Sequence, residues 1–262
     1  MKGHLLSAAA AAVLTVASIS SASAGFQSFV IRNATVSGNQ PTIQVNNTYQ
    51  PGATEFIIAE GGQKAGLGSS DIDGRTLGSI ASVSIDRFDD RTRFSIGSGP
   101  YVAPYLNFWI TDGAGRYAVI ANEPSDANFQ SLYNNGYDLS FGDLANKAAK
   151  IFETSDKTWL PNGGVGTFTF SDFANFVIQA PTSTELGLGW AGLGTGAPRE
   201  FGSNAAYGVN WIFGDSLTNY VSGNEGYVVA NASVSAVPEP GSLALLAIGC
   251  LAFGLARRRL DA

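Results

Sequence analysis

The amino-acid sequence predicts an all-β fold, an antiparallel β-sandwich of jelly-roll type with at most one or two short helices. Two observations favour this class. Apolar residues alternate with polar ones at period two in several short runs, as in strands that bury one face. Clusters of Gly, Asn, Ser and Pro separate these runs at intervals typical of sandwiches and barrels. The runs all lie within residues 25–236, a length that suits one domain.

A hairpin is the clearest strand prediction. Leu106, Phe108 and Ile110 share one side of a run, and Asn107 and Thr111 are expected on an opposite, polar side. A Gly-rich turn at 112–115 follows, and residues 117–120 return. The other predicted strands are Ser82–Ile85, Gly166–Phe170, Phe173–Ile178, Tyr207–Phe213 and Tyr227–Ala230.

Two of these segments allow finer predictions. In the run 207–213, Tyr207, Val209, Trp211 and Phe213 are expected to share a buried face. One helix is predicted from Phe141 to Thr154, because Ser140 and Asp143 resemble a capping box and apolar residues recur at helical spacing behind them. The end of that segment, Lys150 to Thr154, also fits a strand edge, so both interpretations stand.

Composition excludes several kinds of chemistry from residues 25–236. They contain 11 Lys and Arg against 19 Asp and Glu, a formal charge of −8, and show no basic stripe for nucleic acid. The single histidine, His4, and the single cysteine, Cys250, both lie outside this range. A Ser-His-Asp triad, a Cys-His nucleophile, a Cys/His zinc site and an internal disulfide are therefore excluded from it.

The first 24 residues have the layout of a secretory signal peptide. Lys2 precedes an apolar stretch, and Ala22 and Ala24 occupy the small-residue positions before Gly25 that a signal peptidase reads. The predicted domains are therefore 1–24 as signal peptide, 25–236 as exported body and 237–262 as tail. The Sec translocase and signal peptidase are the partners expected at this end.

The tail has three parts in a fixed order. They are Val237-Pro238-Glu239-Pro240, the apolar run 241–256, and Arg257-Arg258-Arg259. As a helix, the 16-residue run would span about 24 Å, against about 30 Å for the bilayer core. It contains no charge, so membrane insertion is favoured, and a basic cluster beside a span stays cytoplasmic. Residues 25–236 are then expected on the opposite side of the membrane.

This tail resembles that of bacterial PEP-CTERM proteins, whose pattern is Val-Pro-Glu-Pro, a short transmembrane helix and a terminal arginine cluster. The resemblance covers residues 237–262. It implies recognition by an exosortase, a membrane enzyme that cuts near the motif, in Gram-negative bacteria that make exopolysaccharide. The same tail is sometimes labelled an ice-binding protein C-terminal domain, a label that describes the tail and implies no ice binding by the body.

Candidate sites in the body are few. Asp71 and Asp73 offer hard oxygen ligands for Ca²⁺ but complete no EF-hand loop, so no cofactor is predicted. Asp89, with its basic neighbours, is expected in a solvated turn of mixed charge. Trp159 and Trp190 lie in loop-like surroundings and are candidates for stacking on sugar rings. Carboxylates that could cleave a glycosidic bond as a pair are Asp112, Asp138, Asp215 and Glu225.

The sequence therefore predicts an exported surface or matrix protein without enzymatic activity. It would be anchored transiently in the inner membrane by its tail, with the mature domain periplasmic, at the cell surface or extracellular. Two alternatives remain open: a carbohydrate-binding module acting on exopolysaccharide, and a glycoside hydrolase.

Overall fold

The computed structural model describes residues 25–89, 104–122, 137–153, 156–187, 206–214 and 220–238. The strands are β1 Gln27–Arg32, β2 Thr42–Val45, β3 Thr54–Ile57, β4 Lys64–Ser69, β5 Ile80–Arg87, β6 Tyr105–Thr111, β7 Tyr117–Asn122, β8 Tyr137–Leu139, β9 Ala148–Glu153, β10 Phe168–Thr169, β11 Val177–Ile178, β12 Val209–Phe213 and β13 Tyr227–Ala236. Short helices occupy Leu77–Ser79, Phe141–Leu144, Pro161–Gly164, Phe170–Phe173 and Ser183–Gly187.

The strands form two antiparallel sheets that pack face to face. The large sheet has the order β1-β4-β12-β6-β7-β9-β10, with β11 against β6, and the small sheet has the order β2-β3-β13-β5-β8. Aromatic rings join them: Phe56 of the small sheet stacks on Phe213 of the large sheet with ring centroids 4.0 Å apart. Tyr137 meets Trp211 edge to face at 5.7 Å. The predicted antiparallel sandwich with at most two short helices is confirmed, since only Phe141–Leu144 and Ser183–Gly187 are α-helical in the described residues and the other three segments are 3-10 turns.

The large sheet buries both faces of its inner strands β4, β7 and β12, whereas the alternation in the sequence predicts strands with one buried face. Every residue of β4, β7 and β12 is buried. On the face away from the core, Lys64 and Asn210 are only 3% and 1% exposed. Thr111, expected on an exposed side, is also buried, and Asn107 is half-buried. The prediction of an exposed polar face was wrong for this sheet, because alternation in β6 marks two buried faces of different polarity.

The prediction for the run 207–213 is confirmed for three of its four residues. Val209, Trp211 and Phe213 are fully buried in the common core. Tyr207 departs from that face, because its ring lies against Gly68 on the opposite side of the sheet, 5.1 Å from the ring of Phe29. An added Cβ at Gly68 would come within 2.5 Å of the Tyr207 ring, so the missing side chain makes room for it.

The predicted helix from Phe141 to Thr154 is only one turn long. Ser140 and Asp143 do form a capping box around Phe141–Leu144. Residues 148–153 are instead strand β9, which pairs with β7 and β10. Pairing with β7 satisfies backbone groups across the sheet and outweighs the local helical spacing, so the alternative of a strand at Lys150 is the correct one.

The remaining strand predictions agree in part with the structure. Residues 82–85 and 227–230 lie within the longer strands β5 and β13. The run 166–170 contributes only the two-residue strand β10. The run 173–178 is not one strand, since the short helix Phe170–Phe173 reaches into it and only β11 follows. The alternation there reflects Phe170 and Phe173, which a helical turn rather than a strand places in the core.

Candidate functional site

Strand β13 connects the folded body directly to the sorting motif. Its first residues, Tyr227–Val229, lie between β3 and β5, with Tyr227 opposite Phe56. Its last residues, 233–236, pair with β5, and Ala236 lies opposite Ile80. The ladder is extended by one more hydrogen bond, in which the Val237 amide donates to the Ser79 carbonyl at 2.7 Å. The motif therefore begins as a continuation of a strand.

A bulge at Asn231 sets the register of this exit strand. Ala230 lies opposite Asp86 and Ser233 opposite Ser84, so β13 has one extra residue between these pairs. Asn231 has a positive φ of 51° and donates through its side-chain amide to Asp86 at 2.6 Å. The bulge restores alternation, because Ala232, Val234 and Ala236 beyond it pack against the core while Ser233 and Ser235 are exposed.

A groove lies where the body and the motif meet, and we call it the junction groove. Its volume is about 490 Å³. Val237 and Pro238 line it together with residues from three parts of the body. The lining residues are Thr76, Gly78, Ser79, Phe141, Ala174, Asn175, Val237 and Pro238. Hydrogen bonds fix its floor, since the Gly78 amide donates to the Ala174 carbonyl at 2.8 Å.

The first two residues of the motif are accessible from this groove. Val237 is 54% exposed, and Pro238 is exposed as well. The rings of Pro238 and Pro240 restrict the backbone and favour extended geometry in the residues before them. Glu239, Pro240 and the arginines 257–259 lie outside the described residues, as do Ala22 and Ala24. Gly25 is the first described residue, with a positive φ of 64°.

No helix in the described ranges is long and apolar enough to cross a membrane. The apolar run 241–256, predicted to do so, falls in the part of the chain that the structure leaves undescribed.

Asp73 lies in the turn at residues 71–74, after β4. Its Oδ1 is buried and would lie 2.1 Å from a Cβ at Gly208. Burial raises the pKa of Asp73 to about 7, although Ser70 donates a hydrogen bond to it. Asp71 is exposed, and its amide donates to Ser69 Oγ at 3.1 Å. Within the described residues, no group of three or more His, Cys, Asp or Glu side chains is placed to hold a metal ion.

Trp159 is half-buried and lies in a cluster of charged residues. Its indole Nε1 donates to the Asp156 carbonyl at 2.8 Å, and its ring meets Phe176 edge to face. The guanidinium of Arg116 lies over the ring at 5.8 Å and pairs with Asp112 at 2.5 Å. Trp190, the second stacking candidate, lies outside the described residues.

The carboxylates considered for glycoside cleavage occupy separate elements. Asp112 is in the β6–β7 turn and accepts from Arg116. Asp138 lies on β8 and accepts from Ser82 at 2.9 Å. Glu225 accepts from the Tyr49 hydroxyl at 2.6 Å. Each of the three thus has a different donor on a different part of the fold, and Asp215 lies beyond the described ranges.

An ion pair between Arg87 and Asp89 replaces the solvated turn that the sequence suggested. Their side chains are 1% and 0% exposed, and three Arg87 N–H···O contacts of 2.7 to 3.0 Å join them. Arg87 also donates to the Tyr137 hydroxyl at 2.7 Å. Burial alone would lower the pKa of Arg87, but Tyr137 and Asp89 together raise it. Sequence proximity signalled the charges but not their burial, which depends on Tyr137 and Tyr227.

The fold and the exit strand define a class: a β-sandwich body followed directly by a C-terminal sorting segment. Residues 236–259 match the PEP-CTERM protein-sorting motif, so the resemblance noted from the sequence is confirmed. The motif supports sorting through an exosortase-like enzyme to the cell surface, with export and transient C-terminal anchoring. No curated protein and no solved structure matches the chain.

Proposed function

We propose that the body is a non-enzymatic surface or matrix protein that an exosortase-like enzyme cuts from its tail near residues 237–240. The match at residues 236–259 is the observation that carries this proposal. The body remains folded up to the cut, because the β13 ladder holds the chain as far as Val237, whose amide donates to Ser79. Cleavage beyond Val237 would then separate the tail without removing any core residue.

The absence of His and Cys from residues 25–236 supports a structural rather than a catalytic role. The described carboxylates support it too, since Asp112, Asp138 and Glu225 accept from Arg116, Ser82 and Tyr49 respectively. Hydrolysis of a polysaccharide that a single carboxylate substitution abolishes would contradict this part of the proposal.

Intact-mass spectrometry of the full chain, expressed in a host with the processing enzyme, tests the proposal. The wild type should yield a mature species that begins at Gly25 and lacks the apolar run. The double variant Pro238→Ala, Glu239→Ala should accumulate with its tail attached. Pro51→Ala, at an exposed proline of the body, is the matched control and should be processed normally. A mature mass for the double variant equal to that of the wild type would refute the motif's role.

The terminal arginines are tested separately through membrane topology. Replacing residues 257–259 with Asn removes the charges that are expected to stay cytoplasmic. Reporter fusions should then show that the tail is retained less well in the membrane and inserts in both orientations. An unchanged topology would show that another feature orients the chain.

A second candidate function is binding of an exopolysaccharide, and the cluster around Trp159 favours it. A partly exposed indole lies beside Arg116, Asp112 and Asp156, which offers a ring for stacking and charged groups for hydroxyls. In a pull-down with the exported protein, less exopolysaccharide should be recovered with Trp159→Ala than with the wild type, and the amount recovered with Trp159→Phe should be unchanged. Equal retention of both variants would exclude this site.

A further inference from the structure

We infer that the junction groove is the surface on which the body docks to the membrane-embedded processing enzyme. This inference rests on the proposed function and extends it from the tail to the folded domain. Motif and body share the groove: Val237 and Pro238 line it together with Ser79, Phe141 and Asn175. An enzyme that grips the motif from its accessible side therefore meets body residues at the same place.

The length of the connection makes that contact unavoidable. Val237 is still hydrogen-bonded to the body through Ser79, and the apolar run begins at Gly241. A fully extended chain covers at most about 3.6 Å per residue, so these four steps span no more than about 14 Å. A folded domain is wider than this tether is long, so the enzyme's exposed surface must lie against the end of the sandwich.

The chemistry of the groove fits a protein surface better than lipid headgroups. Its lining combines apolar side chains such as Phe141 and Ala174 with hydroxyl and amide groups such as Ser79 and Asn175, and none of the described residues that line it is charged. A mixture of this kind is typical of protein interfaces. Anionic headgroups attract basic clusters instead, and the body carries a net negative charge. We therefore assign the groove to the enzyme.

Filling the groove without touching the motif tests this assignment. Asn175 and Thr76 are both exposed at its rim, so Asn175→Trp and Thr76→Trp should occupy it. Val36→Trp, at a position 97% exposed in a distant turn, is the matched control. Pulse-chase labelling of the full chain should show processing slowed about tenfold in either groove variant, the effect expected when a bulky residue blocks an interface contact, and unchanged in the control.

The outcomes distinguish the docking role of the groove from the proposed function on which it rests. If both groove variants are processed at the wild-type rate, the groove is not a docking surface, while the role of the motif stands. If the double variant Pro238→Ala, Glu239→Ala is also processed normally, the proposed function itself fails. Vesicles with anionic phospholipid that bind the wild type but not Asn175→Trp would assign the groove to the membrane. Circular dichroism and thermal melting of each variant test whether slowed processing is caused by misfolding. The inference requires at least one slowly processed variant whose melting temperature equals that of the wild type.

Discussion

The two sheets share one core but differ on their outer faces. In the large sheet the outer face is buried, with Lys64 and Asn210 almost inaccessible. Where the second half of β13 pairs with β5 in the small sheet, by contrast, the outer face is an accessible ladder of hydroxyls, in which Ser84 and Ser233 share a hydrogen bond of 2.8 Å. The sorting motif continues from the small sheet. Beyond Ala230 the exit strand therefore has only one packed face, and removal of the tail exposes no second core layer.

The two sheets also differ in how their buried polar and charged groups are satisfied. The small sheet places Arg87 and Asp89 at the end of its core face, where the two groups satisfy one another. The large sheet buries Lys64 on its outer face, with the ammonium over the Tyr105 ring at 5.6 Å, together with two amides. The Oδ1 atoms of those amides, Asn107 and Asn210, have no hydrogen-bond partner in the described structure. The two sheets should consequently respond differently to substitution.

The largest expected effect is in the core of the large sheet. Trp211→Ala should lower the free energy of unfolding by about 4 kcal/mol, because it leaves a cavity opposite Tyr137 in a fully buried layer. Urea unfolding of the exported protein measures this loss. Trp159→Ala, at a half-buried indole, is the matched control and should cost about half as much. Equal losses would show that the two tryptophans are equivalent, contrary to the structure.

A somewhat smaller effect is expected in the small sheet. Asp89→Ala leaves the Arg87 guanidinium buried without its carboxylate and should destabilise the protein by about 3 kcal/mol. The double variant Arg87→Met, Asp89→Leu removes both charges and should recover most of that loss in the same urea titration. If the double variant is as unstable as the single one, the cost comes from packing and not from an uncompensated charge.

Asp73, in the turn after β4, makes the stability of the protein depend on pH. Its folded pKa of about 7 lies above the ordinary value of 3.8, so the native state holds the proton more tightly than the unfolded state. Its stabilising contribution is complete below pH 3.8 and is lost as the pH rises through 7. Asp73→Asn should therefore match the wild type near pH 4 and exceed it at pH 8 by about 2 kcal/mol, after allowance for partial solvent exposure.

Thermal melting across this pH range measures the effect, and added Ca²⁺ separates two explanations. If Ca²⁺ removes the fall in stability of the wild type as the pH rises and leaves Asp73→Asn unchanged, a bound cation compensates the carboxylate of Asp73. A wild-type melting temperature that rises between pH 4 and 8 while that of Asp73→Asn stays flat would contradict the burial of Asp73.

The smallest effect is expected on the exposed ladder. Ser233→Ala removes one solvent-accessible hydrogen bond to Ser84 and should change the unfolding free energy by no more than about 0.5 kcal/mol. The same urea titration measures it. A loss above about 1 kcal/mol would mean that the outer face of the small sheet is covered like that of the large one.

The sequence predicted the local strands because period-two alternation is a local property. Leu106, Phe108 and Ile110 do line the core, and the hairpin with residues 117–120 forms as expected. It left the segment 150–154 open between helix and strand, because the helical spacing behind Ser140 is equally local and only pairing with β7 decides for strand β9. At the candidate site, the motif residues were predicted, whereas the junction groove was not, since it joins Thr76, Phe141 and Asn175 across long sequence separations.

By itself, the sequence determined the tail, the exclusion of Cys and His chemistry from the body, and the sandwich class, because each depends on residue type or on short-range order. Tertiary structure alone decided that both faces of the large sheet are buried, that Arg87 and Asp89 form a buried pair, and that Val237 stays bonded to Ser79. Burial and pairing depend on which distant segments pack together, and no local pattern carries that information.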